Sequence, residues 1–177
     1  MRLFRVLVLV GLLGVSVGVR AQTGVYAEFT GAKLSSANTA WMFGPTFGLY
    51  HDHGLGLVAL GFDVRGSVLG RGATNGAGSD ESLDTLQVGV RGAVTPHVLP
   101  IKPYAELLGG LGHLKTVQGS ATTSTNKFSY QVLGGVDFTI FPRLDWRVVE
   151  FSYERFQGLG DGYAPKQLST GLVFRLP

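Results

Sequence analysis

Beyond residue 24, apolar side chains recur at every second position in eight separate stretches, and no stretch carries a 3.6-residue period. Successive side chains of a strand point to opposite faces, so each stretch is a strand with one greasy face and one polar or small face. The chain is therefore an all-β sheet with two chemically different sides. Period alone does not say which side meets water. A soluble sandwich or lipocalin-like barrel turns the apolar set inward, whereas a membrane barrel turns it outward.

The stretches run as follows. Over 24–33, Val25, Ala27 and Phe29 oppose Tyr26, Glu28 and Thr30. Trp41, Phe43, Pro45, Phe47 and Leu49 oppose Met42, Gly44, Thr46, Gly48 and Tyr50, and Pro45 predicts a bulge because proline lacks a ladder donor. His51, Asp52, His53 and Gly54 predict a tight turn. Over 55–69, Val58, Leu60, Phe62 and Val64 oppose Asp63, Arg65 and Ser67; over 85–94, Leu86, Val88 and Val90 oppose Gln87 and Arg91. The stretch 102–115 sets Ala105, Leu107, Gly109 and Leu111 against Tyr104, Glu106 and Gly110. Over 128–140, Phe128, Tyr130, Val132, Val136, Phe138 and Ile140 oppose Ser129, Gln131, Gly135, Asp137 and Thr139. Over 145–157, Val149, Phe151 and Tyr153 oppose Val148, Glu150, Ser152 and Glu154. Finally, Leu168, Thr170, Leu172, Phe174 and Leu176 oppose Gln167, Ser169, Gly171, Val173 and Arg175.

Connections alternate in kind. Segments 34–39, 70–82, 116–126 and 157–165 are rich in Gly, Ser, Thr, Asn and Asp, and read as loops. Those at 51–54, 95–100 and 141–144 are short, and the last two contain proline. An even strand count with long loops at one end and short turns at the other is the layout of an outer-membrane barrel.

The start of the chain agrees. Arg2 and Arg5 precede an apolar run, 6–19, and Val19-Arg20-Ala21 fits a small-residue cleavage site. Residues 1–21 read as a signal peptide and 22–177 as one barrel domain. The formal charge of +3 falls to zero once Arg2, Arg5 and Arg20 are removed, with 12 basic and 12 acidic residues left. No basic block remains for nucleic acid. The chain has no cysteine, which excludes a disulfide and a lipidated cleavage-site Cys. After the leader no apolar run is long enough for a membrane-spanning helix, so a membrane-spanning form has to be a closed barrel, the only sheet that leaves no backbone group unpaired in lipid. Aromatics at strand ends, Trp41, Tyr130, Trp146 and Tyr153, suit the two bilayer interfaces.

The terminal stretch carries a resemblance. Thr170-Gly171-Leu172-Val173-Phe174-Arg175-Leu176 is similar to the last strand of bacterial outer-membrane barrels, an assembly signal in which Thr170, Gly171, Phe174 and Leu176 hold the informative positions. Family members commonly end on an aromatic, where this chain has Pro177. With the eight alternating stretches and the segment 147–154, the chain resembles the small eight-stranded outer-membrane barrels, such as the transmembrane domain of outer membrane protein A. That resemblance implies an antiparallel up-and-down barrel, monomeric, set in outer-membrane lipid by the barrel-assembly machinery. It closes when 166–177 pairs with 25–29.

In that topology the polar face lines the interior. Its charged members are Glu28, Asp63, Arg65, Arg91, Glu106, Asp137, Glu150, Glu154 and Arg175, of both signs with acids in excess. Buried charges persist when paired and hydrogen-bonded, so a lumen network is expected with Arg65, Arg91 and Arg175 as its cations.

The expected role is structural or interactive: the barrel anchors and the outer loops make contact. No catalytic residue, metal ligand or cofactor is assigned, and no external ligand is identified. His51 and His53 form a ligand-like pair but have no evident further ligands. A narrow solute channel is the first alternative, disfavoured because side chains fill an eight-stranded interior. A lipid-modifying enzyme is the second, for which His113, Ser129 and Glu154 are the residues to assemble.

Overall fold

The computed structural model describes residues 21–34, 41–71, 80–96, 99–118, 121–158 and 164–176. The leader lies outside these residues except Ala21, which is the first residue of a strand. So do His97 and Pro177. Eight strands follow in order: β1 (Ala21–Lys33), β2 (Trp41–Leu55), β3 (Val58–Arg71), β4 (Asp80–Val94), β5 (Ile101–Gln118), β6 (Ala121–Phe141), β7 (Leu144–Phe156) and β8 (Lys166–Arg175). Each pairs antiparallel with its chain neighbours, and β8 closes on β1 with Val25 opposite Phe174 and Phe29 opposite Thr170. Closure leaves no strand edge exposed.

The alternation becomes two surfaces of opposite chemistry. Phe62, Leu111 and Leu86 stand 65%, 66% and 64% exposed, while Arg65, Arg91 and Glu106 are buried. A water-soluble fold reverses this distribution. An apolar exterior around a polar interior is the layout of a sheet dissolved in lipid, and strands of 10 to 21 residues meet or exceed the roughly 9–11 needed to cross a bilayer.

Several local expectations are corrected. His51 to Gly54 do not turn: β2 runs on to Leu55, and the reversal is at Gly56, whose φ of +79° suits glycine. The inward alternation of Met42, Thr46 and Tyr50 simply continues to Asp52, which is buried. There is no bulge at Pro45. The register with β3 is the same on both sides of it (Phe43–Gly70, Thr46–Ser67), and only Gly44 and Pro45 lack partners there. The proline ring points outward and costs a ladder bond, not a shift. The stretch 116–126 is mostly strand, because β5 and β6 stay paired from Ile101–Phe138 to Gln118–Ala121. Its threonines are β-branched and favour a ladder over a loop. Likewise β3 and β4 extend to Arg71 and Asp80.

Register shifts occur at Ile140 of β6, where Thr139 faces Asp145 and Phe141 faces Leu144, and at Val148 and Val149 of β7. Arg147 faces Gly171 and Glu150 faces Ser169, so two residues, Val148 and Val149, oppose Thr170 alone. This bulge reverses the facing of everything before it. Thr170 fills the gap: its Oγ1 donates to the carbonyl of Arg147 at 2.9 Å and accepts from Trp146 Nε1 at 3.2 Å.

Candidate functional site: the lumen and the outer rim

The inward residues form layers. At the loop-bearing end, Ala32, Leu34, Met42, Leu69, Leu83 and Phe156 pack into an apolar cap, with Leu114 against it. Beneath lies a hydroxyl chain: Thr30 contacts Thr46 at 2.7 Å and Ser169 at 2.9 Å, and Thr46 contacts Ser67 at 2.9 Å. Alongside, Glu154 accepts from Gln87 Nε2 at 2.8 Å and Gln167 Nε2 at 2.9 Å. Gln87 Nε2 also donates to Ser129, and Gln131 Nε2 to Ser152.

The ionic layer comes next, around three guanidiniums. Arg65 Nη2 donates to Glu150 Oε1 at 2.6 Å and Glu28 Oε2 at 3.1 Å. Arg147 Nε donates to Asp137 Oδ1 at 2.9 Å, and its Nη1 reaches Glu28 Oε1 at 2.5 Å and Glu150 Oε2 at 3.3 Å. Arg91 pairs with Glu106, with Asp52 at 3.2 Å and with Asp137 at 3.4 Å. Buried ions persist only when such geometry repays their desolvation. Tyrosine rings complete the layer. The Tyr104 ring sits between Arg91, 4.0 Å from its centroid, and Arg147, at 4.5 Å, and its hydroxyl donates to Glu150 Oε2 at 2.7 Å. Tyr26 lies beneath Arg147 at 4.4 Å and donates to Asp63 Oδ1 at 2.8 Å. Guanidiniums stacked on rings in a buried interior gain cation–π attraction as well as charge pairing.

Room for these rings comes from glycine on the neighbouring strand. Tyr26 is paired with Gly48, Tyr50 with Gly24 and Tyr104 with Gly135. A Cβ at any of the three would lie within 2.6 Å of the tyrosine opposite.

Of the expected network, Glu28, Arg65, Arg91, Glu106, Asp137 and Glu150 share this ion-paired layer; Asp63 faces into it through Tyr26, and Glu154 sits above with the amides. Arg175 does not join them. It lies at the short-turn end, 3.1 Å from Asp145, which Lys102 also contacts at 2.9 Å. The third central cation is instead Arg147, fully buried, which the sequence reading did not single out. Strict alternation back from Glu150 puts Arg147 on the lipid side, and the Val148 bulge moves it inside. The available signal was a spacing conflict: Trp146 and Val149, both outward, are three residues apart. Asp52 and Asp145 are buried charges beyond the expected set, Asp52 because β2 continues past the expected turn and Asp145 because the bulge turns it inward.

On the exterior, Trp41, Tyr130 and Tyr153 point outward toward the loop-bearing end and Trp146 toward the other. Thr170, Phe174 and Leu176 share the outward face of the last strand. Gly171 meets β1 so closely that a Cβ there would lie 2.2 Å from the Ala27 carbonyl oxygen. His51 and His53 stack edge to face with centroids 4.8 Å apart, and His51 Nδ1 contacts Thr23 at 2.8 Å. Among the described residues no cluster of His, Cys, Asp or Glu is arranged to hold a metal. His113 does not meet Ser129 or Glu154, which face the lumen while it faces out. Its ring nitrogens contact Asn126 Oδ1 and, at 3.3 Å, Ser124 Oγ.

No protein-family model matches the chain, and no curated protein does. Solved structures match in fold. Neisserial surface protein A aligns with a TM-score of 0.68 and 19% identity over 88% of this chain and 98% of that one. Ail, the attachment invasion locus protein of Yersinia pestis, aligns at 0.60 and 14% over 88% and 97%; it is also solved in complex with the heparin analogue sucrose octasulfate. The N-terminal β-barrel domain of Pseudomonas aeruginosa OprF aligns at 0.54 and 12% over 89% and 100%. At these identities the likeness is one of fold. The chain has the fold of the small eight-stranded outer-membrane barrels.

Proposed function

We propose that this chain is a bacterial outer-membrane protein of structural or interactive, non-catalytic role. The segment 1–21 directs export and is removed. The barrel-assembly machinery then inserts 22–177 as a monomer, and the loop-bearing end meets the surroundings. One observation carries the reading: the lumen is packed with a fixed ionic layer beneath an apolar cap, while the exterior is apolar. A barrel built this way anchors; it does not conduct. That Ail forms a complex with a polysulfated sugar supports a barrel of this fold serving as a contact platform.

The test combines fractionation with electrophysiology. The protein is expected in the outer-membrane fraction, with heat-modifiable gel mobility and without step conductance in planar bilayers. Reproducible conductance steps, lost on bulky substitution at Gly89 or Gly135, would install the channel reading instead. Recovery as a detergent-free soluble monomer would remove the membrane reading.

A second reading has one observation in its favour. Ser124, His113 and Asn126 form a hydroxyl–imidazole–amide line on the outward face, the order of groups used to activate a serine for acyl transfer. Fatty-acid release from phospholipid vesicles, abolished by His113→Ala and by Ser124→Ala, would establish it. No release above the double variant would dismiss it.

A further inference from the structure

Lys33 of β1 and Lys166 of β8 are directly opposed in the ladder that closes the barrel, at its loop-bearing end. Both are exposed, and both stand on the outward face. Like charges directly opposite on antiparallel strands destabilise the pair. Among the described residues, no carboxylate forms an ion pair with either lysine. The same ladder row continues to Trp41, opposite Lys33, and to Tyr153, opposite Lys166. Four adjacent strands thus present Trp41, Lys33, Lys166 and Tyr153 side by side, two ammonium groups between two aromatics of the kind that sit at headgroup depth.

Directly below this row the outer wall is indented. A groove of about 490 Å³ runs between Phe29, Trp41 and Phe43 on one side and Leu168 and Val149 on the other, with Gly31 in its floor. The rings forming its wall are stacked, Phe29 on Phe43 at 5.9 Å and Trp41 on Phe43 at 6.1 Å. The bulge at Val148 shapes the far side. A second indentation of similar size elsewhere on the barrel carries Asp84 and His113 instead of a lysine pair. Charge therefore distinguishes the two.

We propose that Lys33, Lys166 and the groove beneath them bind a single outer-leaflet lipid bearing a phosphomonoester, with the phosphate bridging the two ammonium groups and one acyl chain in the groove. The charge match selects this headgroup: a phosphomonoester approaches two negative charges at neutral pH, whereas a phosphodiester carries one. The anion also removes the repulsion within the lysine pair. The proposal rests on the membrane reading above.

The test is native mass spectrometry of the refolded protein in detergent, with phosphatidic acid and phosphatidylglycerol of equal acyl composition. Phosphatidic acid is expected to be retained about tenfold better, the equivalent of one strong charge-assisted contact. Lys33→Gln with Lys166→Gln should abolish that preference. Gly31→Leu should weaken retention of both lipids by filling the groove. Heat-modifiable mobility is checked on every variant, which separates loss of the site from loss of the barrel. Equal retention of the two lipids by the folded wild type would overturn the proposal, as would a preference that survives in the double lysine variant. Displacement of the lipid by millimolar inorganic phosphate would refute the acyl-chain part.

Discussion

The guanidinium of Arg147 reaches Glu28 across the lumen, a contact between residues 119 positions apart. It joins β7 to β1 past the intervening strand β8 and therefore depends on closure of the barrel. Arg147 also holds Asp137 and Glu150. It is the hub of the ionic layer.

Removing that hub should be expensive. Arg147→Ala leaves three buried carboxylates short of a partner and is expected to cost about 3–5 kcal/mol. Arg175→Ala, at a partly exposed end pair, should cost about 1 kcal/mol or less. Urea unfolding in detergent micelles, followed by tryptophan emission, measures both. Equal midpoints for the two variants would contradict the assignment of Arg147 as the central cation.

The two glutamates of β7 should differ in the same assay. Glu150 lies between Arg65 and Arg147, whereas Glu154 is held by amides. Glu150→Gln removes charge where two guanidiniums converge and should lower stability by about 2–4 kcal/mol. Glu154→Gln exchanges one polar contact for another, at about 1 kcal/mol.

The β7 bulge makes a discrete prediction. Deleting Val148 removes the extra residue and restores strict alternation with Arg147 still facing the lumen and Trp146 still facing lipid. The folded, heat-modifiable band is expected to persist, and its disappearance would show that the bulge itself is required for the barrel to form. Thr170→Val keeps the register but loses the hydroxyl that bonds the Arg147 carbonyl and accepts from Trp146. It should fold with a loss of about 1 kcal/mol.

Tyrosine–glycine pairing can be tested by adding one carbon. A Cβ at Gly135 would lie 2.4 Å from the Tyr104 hydroxyl oxygen, so Gly135→Ala has to move that ring off Glu150. A cost of about 1–3 kcal/mol is expected. Gly66→Ala meets nothing closer than 3.6 Å and should change stability by less than about 0.5 kcal/mol. Indistinguishable midpoints would show that the lumen is looser than its geometry indicates.

Much of this architecture is legible in the residues themselves. Alternation such as Leu86, Val88 and Val90 against Gln87 and Arg91 requires strands with two unlike faces, because the side-chain period of a strand is two. Eight such stretches with alternating short and long connections specify an up-and-down barrel, and the leader-like first 21 residues and the strand-end aromatics suggest which face meets lipid. Six of the charges that meet in the ion-paired layer could be named from parity alone. What parity cannot supply is any place where the period breaks. The inward turn of Arg147 depends on Thr170 accepting two residues of β7 opposite one of its own strand. The extension of 116–126 as paired strand depends on its partner across the hairpin, and the opposition of Lys33 to Lys166 depends on the register at closure. Each is a relation between strands far apart in the chain, set by packing and ladder geometry after the sheet has curled shut. Local sequence carries facing; only the closed barrel decides register.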